Sequence, residues 1–243
     1  MKLDFSKNII YLKQIDSTNN YAISRIKDPS FKLPCVIFSD YQSKGKGQYG
    51  KKWHSERGKN LLSSFVLKSS ININDQFIIN AMFSLSVRDL LVNIGLKNTT
   101  LKWPNDILVD SKKIAGILIN NKIYEEKIIY SILGLGLNIN QVNFPNFERE
   151  PTSIVNEINF KYDIKSILDD LITNFVNRYL QDHDQLIEDY INALYMKDQV
   201  LRFSKQGNEF QGIIKSITRS GYLIINVNNQ DVSFLSSEIK FLD

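Results

Sequence analysis

Apolar positions change their rhythm several times along the 243 residues, and each change marks an element. Residues 9–12, Ile-Ile-Tyr-Leu, read as a strand. Asp16, Ser17 and Thr18 then offer cap side chains to a short helix carrying Tyr21, Ala22 and Ile26. Residues 35–39 and 61–67 are apolar runs of strand length, separated at 41–60 by a polar, glycine-bearing stretch without period. A loop that long inside a domain is often functional. Phe77, Ile78, Ala81, Met82, Leu85 and Leu90 follow helical spacing, which predicts a helix over 75–94. Strands are expected over 100–103, 113–119 and 128–133. The i, i+3, i+4 rhythm from Ile164 through Phe175 to Tyr179 predicts a long helix capped by Asp163, with another over 184–194. From about 198 the pattern becomes short strands at 200–203, 209–217, 222–227 and 232–234, punctuated by Gln206-Gly207-Asn208, Ser220-Gly221 and Asn228-Asn229-Gln230. The expected fold class is therefore α+β: a mixed β-sheet flanked by helices over 1–195, followed by a small SH3-like β-barrel over 196–243.

Composition narrows the function classes. The chain is 43% hydrophobic and 23% charged, ordinary values for a globular protein. No apolar run approaches the roughly 20 residues that span a bilayer, and the first residues lack a signal core. A cytoplasmic protein is expected. The single cysteine, Cys35, lies in an apolar run and reads as a small buried hydrophobe. One cysteine with two histidines, His54 and His183, cannot build a zinc site. A net charge of +4 is too weak to imply nucleic acid by itself.

The loop from Gly45 to Trp53 concentrates chemistry. Gly45, Gly47 and Gly50 let backbone approach an anion, and Lys44, Lys46, Lys51 and Lys52 bring positive charge. Gly45 and Gly50-Lys51 match part of a P-loop, but Lys52 stands where that motif needs Ser or Thr. Tyr41, Tyr49 and Trp53 among lysines also fit a nucleic-acid patch, and a solvated surface loop fits too. A second group lies at Lys102-Trp103-Pro104-Asn105-Asp106, with Lys113 seven residues further on. A hairpin would bring Lys113 near Asn105 and Asp106, although Asn-Asp is also an ordinary turn pair.

Taken together, G-K-G-x-x-G-x-x-W at 45–53, K-W-P-N-D at 102–106, K-x-A-G-I-L from Lys113 and G-L-G-L-N at 134–138 resemble the biotin–protein ligase family in order and spacing. Ser17-Thr18-Asn19 resembles its early S-T-N signature. The resemblance covers 10–140 by motif. It implies that 1–195 is a biotin- and ATP-binding catalytic domain that joins biotin's carboxylate to the α-phosphate of ATP. The biotinyl group then passes to a lysine of a biotin carboxyl carrier domain. One anion must approach another, so positioned cations and Mg2+ are required.

By the same resemblance the chemistry falls to Lys113, Lys46 and Asp106. Biotin would meet Ser17, Thr18, Asn19, Gln42, Lys46, Gly47, Gln48, Lys113 and Gly116. ATP would meet Lys51, Trp53, Lys102, Asn105 and Asn138, with Trp53 facing adenine and Asp106 and Asn138 facing the metal. For Ser17 a plain helix cap is the competing role, and for Trp53 a core position. Many relatives carry arginine at the positions of Lys46, Gln48 and Lys51, so Gln48 removes a cation where the adenylate would be held. Asn120 stands where glutamate is common. Ser17 comes too early for a preceding DNA-reading domain, so neither DNA nor membrane is an expected partner, and a homodimer is left open. A lipoate ligase or octanoyltransferase of similar fold, a nucleic-acid-binding protein and a non-catalytic biotin-binding relative are the competing readings.

Overall fold

The structure is a computed structural model that describes residues 3–5 and 7–242. Its first sheet has seven strands: β1 (Ile9–Leu12), β2 (Cys35–Ser39), β3 (Leu61–Asn72), β4 (Thr99–Lys102), β5 (Asp106–Val109), β6 (Lys112–Tyr124) and β7 (Lys127–Leu137). They lie in the order β1-β2-β3-β7-β6-β5-β4. β1 runs parallel to β2, and every other neighbouring pair is antiparallel, which makes the sheet mixed.

Side chains alternate across a strand, so each strand feeds two layers. Val36, Phe65, Leu133 and Leu135 face one side, where they join the main core with α2 (Phe77–Asn93), α4 (Ile164–Tyr179) and α5 (His183–Asn192). Phe5, Phe65, Phe83 and Phe175 meet there edge-on or tilted. Ile37, Val66 and Ile132 face the other side and pack with Ala22 of α1 (Thr18–Arg25). Cys35 belongs to this second cluster, fully buried, and burial pushes its thiol up to about 12. Most of α2 is buried because it lies between the sheet and α4 and α5.

Those three helices share one charged joint. Arg178 on α4 donates to Asp89 on α2 at 2.7 Å and 3.0 Å, and also to Asp189 on α5. Removing the guanidinium takes away the one cation shared by these two partly buried carboxylates, although Asp189 keeps the amide donors of Gln181 and Gln185. Arg178→Ala is expected to cost about 3 kcal/mol, a fall in Tm of roughly 6–12 °C for a chain of this size. Calorimetric unfolding checks it; an unchanged Tm contradicts it.

Three short elements were not expected: β5, a helix at Ile154–Ile158 and a two-residue strand at Lys240–Phe241. β5 has four residues between Asn105 and Asp110, both turn-formers, so its apolar content is too brief to show a period. α3 (Ile154–Ile158) spans five residues and is capped by Ser153. The expected hairpin from Lys102 to Lys113 is in fact two hairpins sharing β5.

The C-terminal strands β8 (Val200–Lys205), β9 (Asn208–Ile217), β10 (Leu223–Val227), β11 (Gln230–Phe234) and β12 (Lys240–Phe241) form a separate antiparallel sheet in the order β11-β10-β9-β8-β12. No pairing joins its two edge strands among the described residues. The β9–β10 turn docks on the first sheet's layer: Phe77 N–H donates to Arg219 O at 3.0 Å, and Trp103 Nε1 donates to Gly221 O at 3.1 Å. No described helix is long and apolar enough to cross a membrane.

Candidate active site

A cavity of about 780 Å³ opens on the α1 side of the large sheet. It has the volume of a small-molecule site. Every residue nominated above lines it: Ser17, Thr18, Asn19, Gln42, Lys46, Gly47, Gln48, Lys51, Trp53, Lys102, Asn105, Asp106, Lys113, Gly116 and Asn138.

One end is polar and nearly neutral. The N-terminus of α1 is fixed there by a hydroxyl and amide chain. Ser17 accepts from Asn20 N–H at 3.4 Å as the helix cap. Thr18 donates to Gln42 Oε1 from both its N–H, at 2.7 Å, and its hydroxyl, at 3.1 Å. Ser64 Oγ lies 2.7 Å from Thr18 Oγ1 and 2.5 Å from Asn19 Oδ1. Asn19 Nδ2 donates to Leu118 O and to Asn120 Oδ1, each at 3.1 Å. Asn19 thereby joins α1 to β3 and β6 while lining the cavity, and a methyl group at Gly134 would lie 2.5 Å from its oxygen. Asn120 accepts from Asn19 through its Oδ1.

The floor is a glycine strip. Gly116 on β6 pairs with Gly136 on β7, and the Trp53 indole lies on both. A Cβ at Gly136 would stand 2.3 Å from Trp53 Cε2, and one at Gly116 2.9 Å from Cζ3. Only residues without side chains let the ring come so close. Trp53 Nε1 is buried without a partner, as is Asn138 Oδ1, whose amide nitrogen donates to Thr152 O at 2.9 Å. Ser63, which also lines the cavity, has an unpartnered buried Oγ as well. Buried polar atoms are almost always satisfied, so such atoms beside one cavity mark places where a ligand can supply the bond.

The other end is strongly cationic. Lys113 Nζ lies 2.6 Å from Asp106 Oδ1 and 5.7 Å from the centre of the Trp53 ring. A register shift between Ile107 and Leu108 sets Lys113 across from Leu108 while Asp106 pairs with Gly116. Asn105 Nδ2 donates to Ile117 O at 3.0 Å and locks the turn. Lys102 sits 4.5 Å from the Phe241 ring, and its ammonium is pushed down to about 8, first by burial and then by the Arg149 charge. Lys46, Lys51, Lys52, Lys102, Lys113, Arg149 and Lys240 line the cavity against two carboxylates, Asp106 and Glu148. That excess of positive charge suits a polyanion.

The loop from Gly45 to Trp53 folds back as a flap. Trp53 N–H donates to Gly45 O at 3.0 Å and Gly47 N–H to Lys51 O at 2.7 Å, so the Gly47 donor is used within the loop. Tyr49 and Gly50 form its tip at positive φ. The tip reaches the C-terminal sheet through Tyr49 Oη and Ser236 Oγ, 2.6 Å apart. Lys46 Nζ donates to Asn20 Oδ1 at 3.0 Å.

Several lining residues have no motif to announce them. Phe144, Phe147, Glu148 and Arg149 come from an irregular stretch after β7, and Ser236, Lys240 and Phe241 come from the C-terminal module. The nearby His54 and Phe147 rings lie 5.6 Å apart. Nothing in their local sequence signals the site; only the tertiary fold brings them to it.

Fold and site together define an α+β domain that holds a neutral polar recess and a cationic recess in one cavity. The Biotin/lipoate A/B protein ligase family model matches residues 11–138, and the chain belongs to this family. It is 26% identical over 176 residues to the bifunctional ligase/repressor BirA of Bacillus subtilis, covering 71% of this chain and 54% of that protein. The chain therefore spans about half the length of such relatives. It is 26% identical over 237 residues to the biotin–[acetyl-CoA-carboxylase] ligase of Mycobacterium tuberculosis, covering 94% of this chain and 87% of that one. The Aquifex aeolicus biotin protein ligase, solved in complex with biotin and ATP, superposes with a TM-score of 0.77 at 23% identity, covering 97% of this chain and 98% of that one.

Proposed function

We propose that this chain is a biotin–protein ligase: it activates biotin with ATP to biotinyl-5′-AMP and transfers the biotinyl group to a lysine of a biotin carboxyl carrier domain. The observation that carries this reading is that every motif residue the resemblance nominates lines a single cavity, neutral at one end and cationic at the other. Relatives named as biotin ligases, in sequence and in fold, support it.

In this reading the ureido group of biotin lies by Ser17, Thr18 and Gln42. Gln42 Oε1 already accepts from Thr18, so its amide nitrogen is the end offered to a carbonyl oxygen. The carboxylate points toward Lys113. A carboxylate oxygen then attacks the α-phosphorus of ATP, the bond to the β-phosphate bridging oxygen breaks, and pyrophosphate leaves. Lys113, with Lys102 and Lys51, neutralises charge as the two anions meet. In the second step a neutral carrier lysine attacks the carbonyl carbon of the mixed anhydride, and AMP leaves. Trp53 covers the reacting region, and its ring is the candidate adenine platform. Lys46 ties the flap to the start of α1, and Gln48 lies on the same flap.

The donor set fits Mg2+. Asp106 and the unpartnered Asn138 Oδ1 are hard oxygen ligands. No cluster of three His, Cys, Asp or Glu exists among the described residues, so nucleotide phosphates would complete the shell. When bound, the ion supplies further neutralisation of the phosphates. The division into 1–195 and 196–243 is proposed as two domains, the second SH3-like.

The transfer step is tested with ATP, biotin and a purified carrier domain, read by mass spectrometry. A gain of one biotinyl group on one lysine supports the proposal, and an unmodified carrier with active controls counts against it.

A further inference from the structure

Among the described residues, Glu148 is one of two carboxylates lining a cavity that carries seven cationic side chains. The other, Asp106, is engaged by Lys113. Glu148 Oε1 lies 2.8 Å from Lys240 Nζ on β12, and its Oε2 lies 3.7 Å from Lys51 Nζ on the flap. One side chain therefore ties together three segments that are far apart in sequence. Its carboxyl is held below the usual range, first by the Lys240 hydrogen bond and charge and then by the Lys51 charge. Lys102 adds a further favourable charge from inside the cavity.

We propose that Glu148 is a resident counter-ion that holds the flap and the C-terminal module together across the cavity mouth and is displaced by the polyphosphate of the incoming nucleotide. The inference rests on the nucleotide reading of the cationic recess. Without an anion, Lys51 and Lys240 would face each other across the mouth. Glu148 pairs with both of them, at 2.8 Å and 3.7 Å, and so links the flap to β12. A polyphosphate offers several oxygens to the same lysines, so it must replace the carboxylate to bind fully. Glu148 thereby lowers nucleotide affinity and sets how many negative charges a ligand needs to enter. It is a positioning and specificity residue, with no contact to the reacting atoms.

Glu148→Gln tests this, since it removes the charge and keeps the shape of an exposed side chain. Binding of ATP and of inorganic pyrophosphate is measured by calorimetry on the full chain and on the variant, without biotin. The variant is expected to bind both about three- to tenfold more tightly at low salt, the range of one or two exposed ion pairs. The advantage should fade toward 1 M salt, where the screening length is about 3 Å. Equal or weaker binding by the variant overturns the role of Glu148 while leaving the nucleotide reading in place. So does an advantage that persists at high salt. Failure of the unmodified protein to bind either ligand overturns the nucleotide reading, and this inference falls with it.

Discussion

Lys113→Ala is expected to slow biotin-dependent adenylate formation by about 100-fold or more, the scale of losing one positioned donor at a developing charge. The geometry makes the loss twofold. Lys113 Nζ sits 2.6 Å from Asp106 and beside the Trp53 ring, so it faces the carboxylate and the region where a second anion would enter. Its removal takes away the cation and leaves Asp106 as an unpaired, largely buried negative charge in the same place. The effect should fall mainly on kcat, because Lys102, Lys51 and Arg149 still attract the phosphates. Lys113→Arg restores charge without the compact ammonium and should recover little, since a planar fork cannot occupy the same point. Single-turnover adenylation measures this. A rate within twofold of the unmodified protein contradicts the role.

Gly136→Ala should be nearly as damaging, although it adds only one methyl group. That methyl would stand 2.3 Å from Trp53 Cε2 and 2.6 Å from Nε1. The β7 backbone cannot retreat, because Gly136 is paired on both sides, with Leu62 and with Gly116. The indole must therefore lift off the strip into the cavity. A displacement of this kind near reacting groups costs on the order of 100-fold in kcat/KM. The fold should lose only about 1–3 kcal/mol from overpacking. Tryptophan emission, which comes from Trp53 and Trp103, should shift as the Trp53 ring leaves its half-buried seat on the glycine strip. Retention of full activity with unchanged emission would show that Trp53 does not rest there in solution.

The cationic half of the site was legible in sequence because its parts are neighbours through tight hairpins. Lys102, Asp106, Lys113 and Gly116 fall on β4, β5 and β6, and Asn105 in the turn between β4 and β5, so short spacing became short distance. Ser17, Thr18 and Asn19 were legible for a related reason: Ser17 caps α1 and the other two open it, soon after β1, and β1 pairs with β2, which leads into the flap. The long amphipathic helices were equally plain, since their rhythm persists for several turns. β5 and α3 were hidden by brevity. Glu148, Lys240 and Phe241 were hidden for a deeper reason. A charged residue in an irregular stretch and a two-residue strand carry no pattern, and their meaning comes only from the docking of the C-terminal sheet beside Lys102 and the flap. Trp103 shows the reverse. It belongs to the most specific motif, yet it is buried and its indole N–H holds the Gly221 carbonyl, which gives it a fold role beside its motif role.

The most direct test of the central claim is isotope exchange between pyrophosphate and ATP on the purified chain, with biotin, lipoate or octanoate supplied in turn. Exchange that requires biotin and stays at background with lipoate and octanoate is the predicted result. Exchange driven by lipoate or octanoate but not by biotin would contradict it.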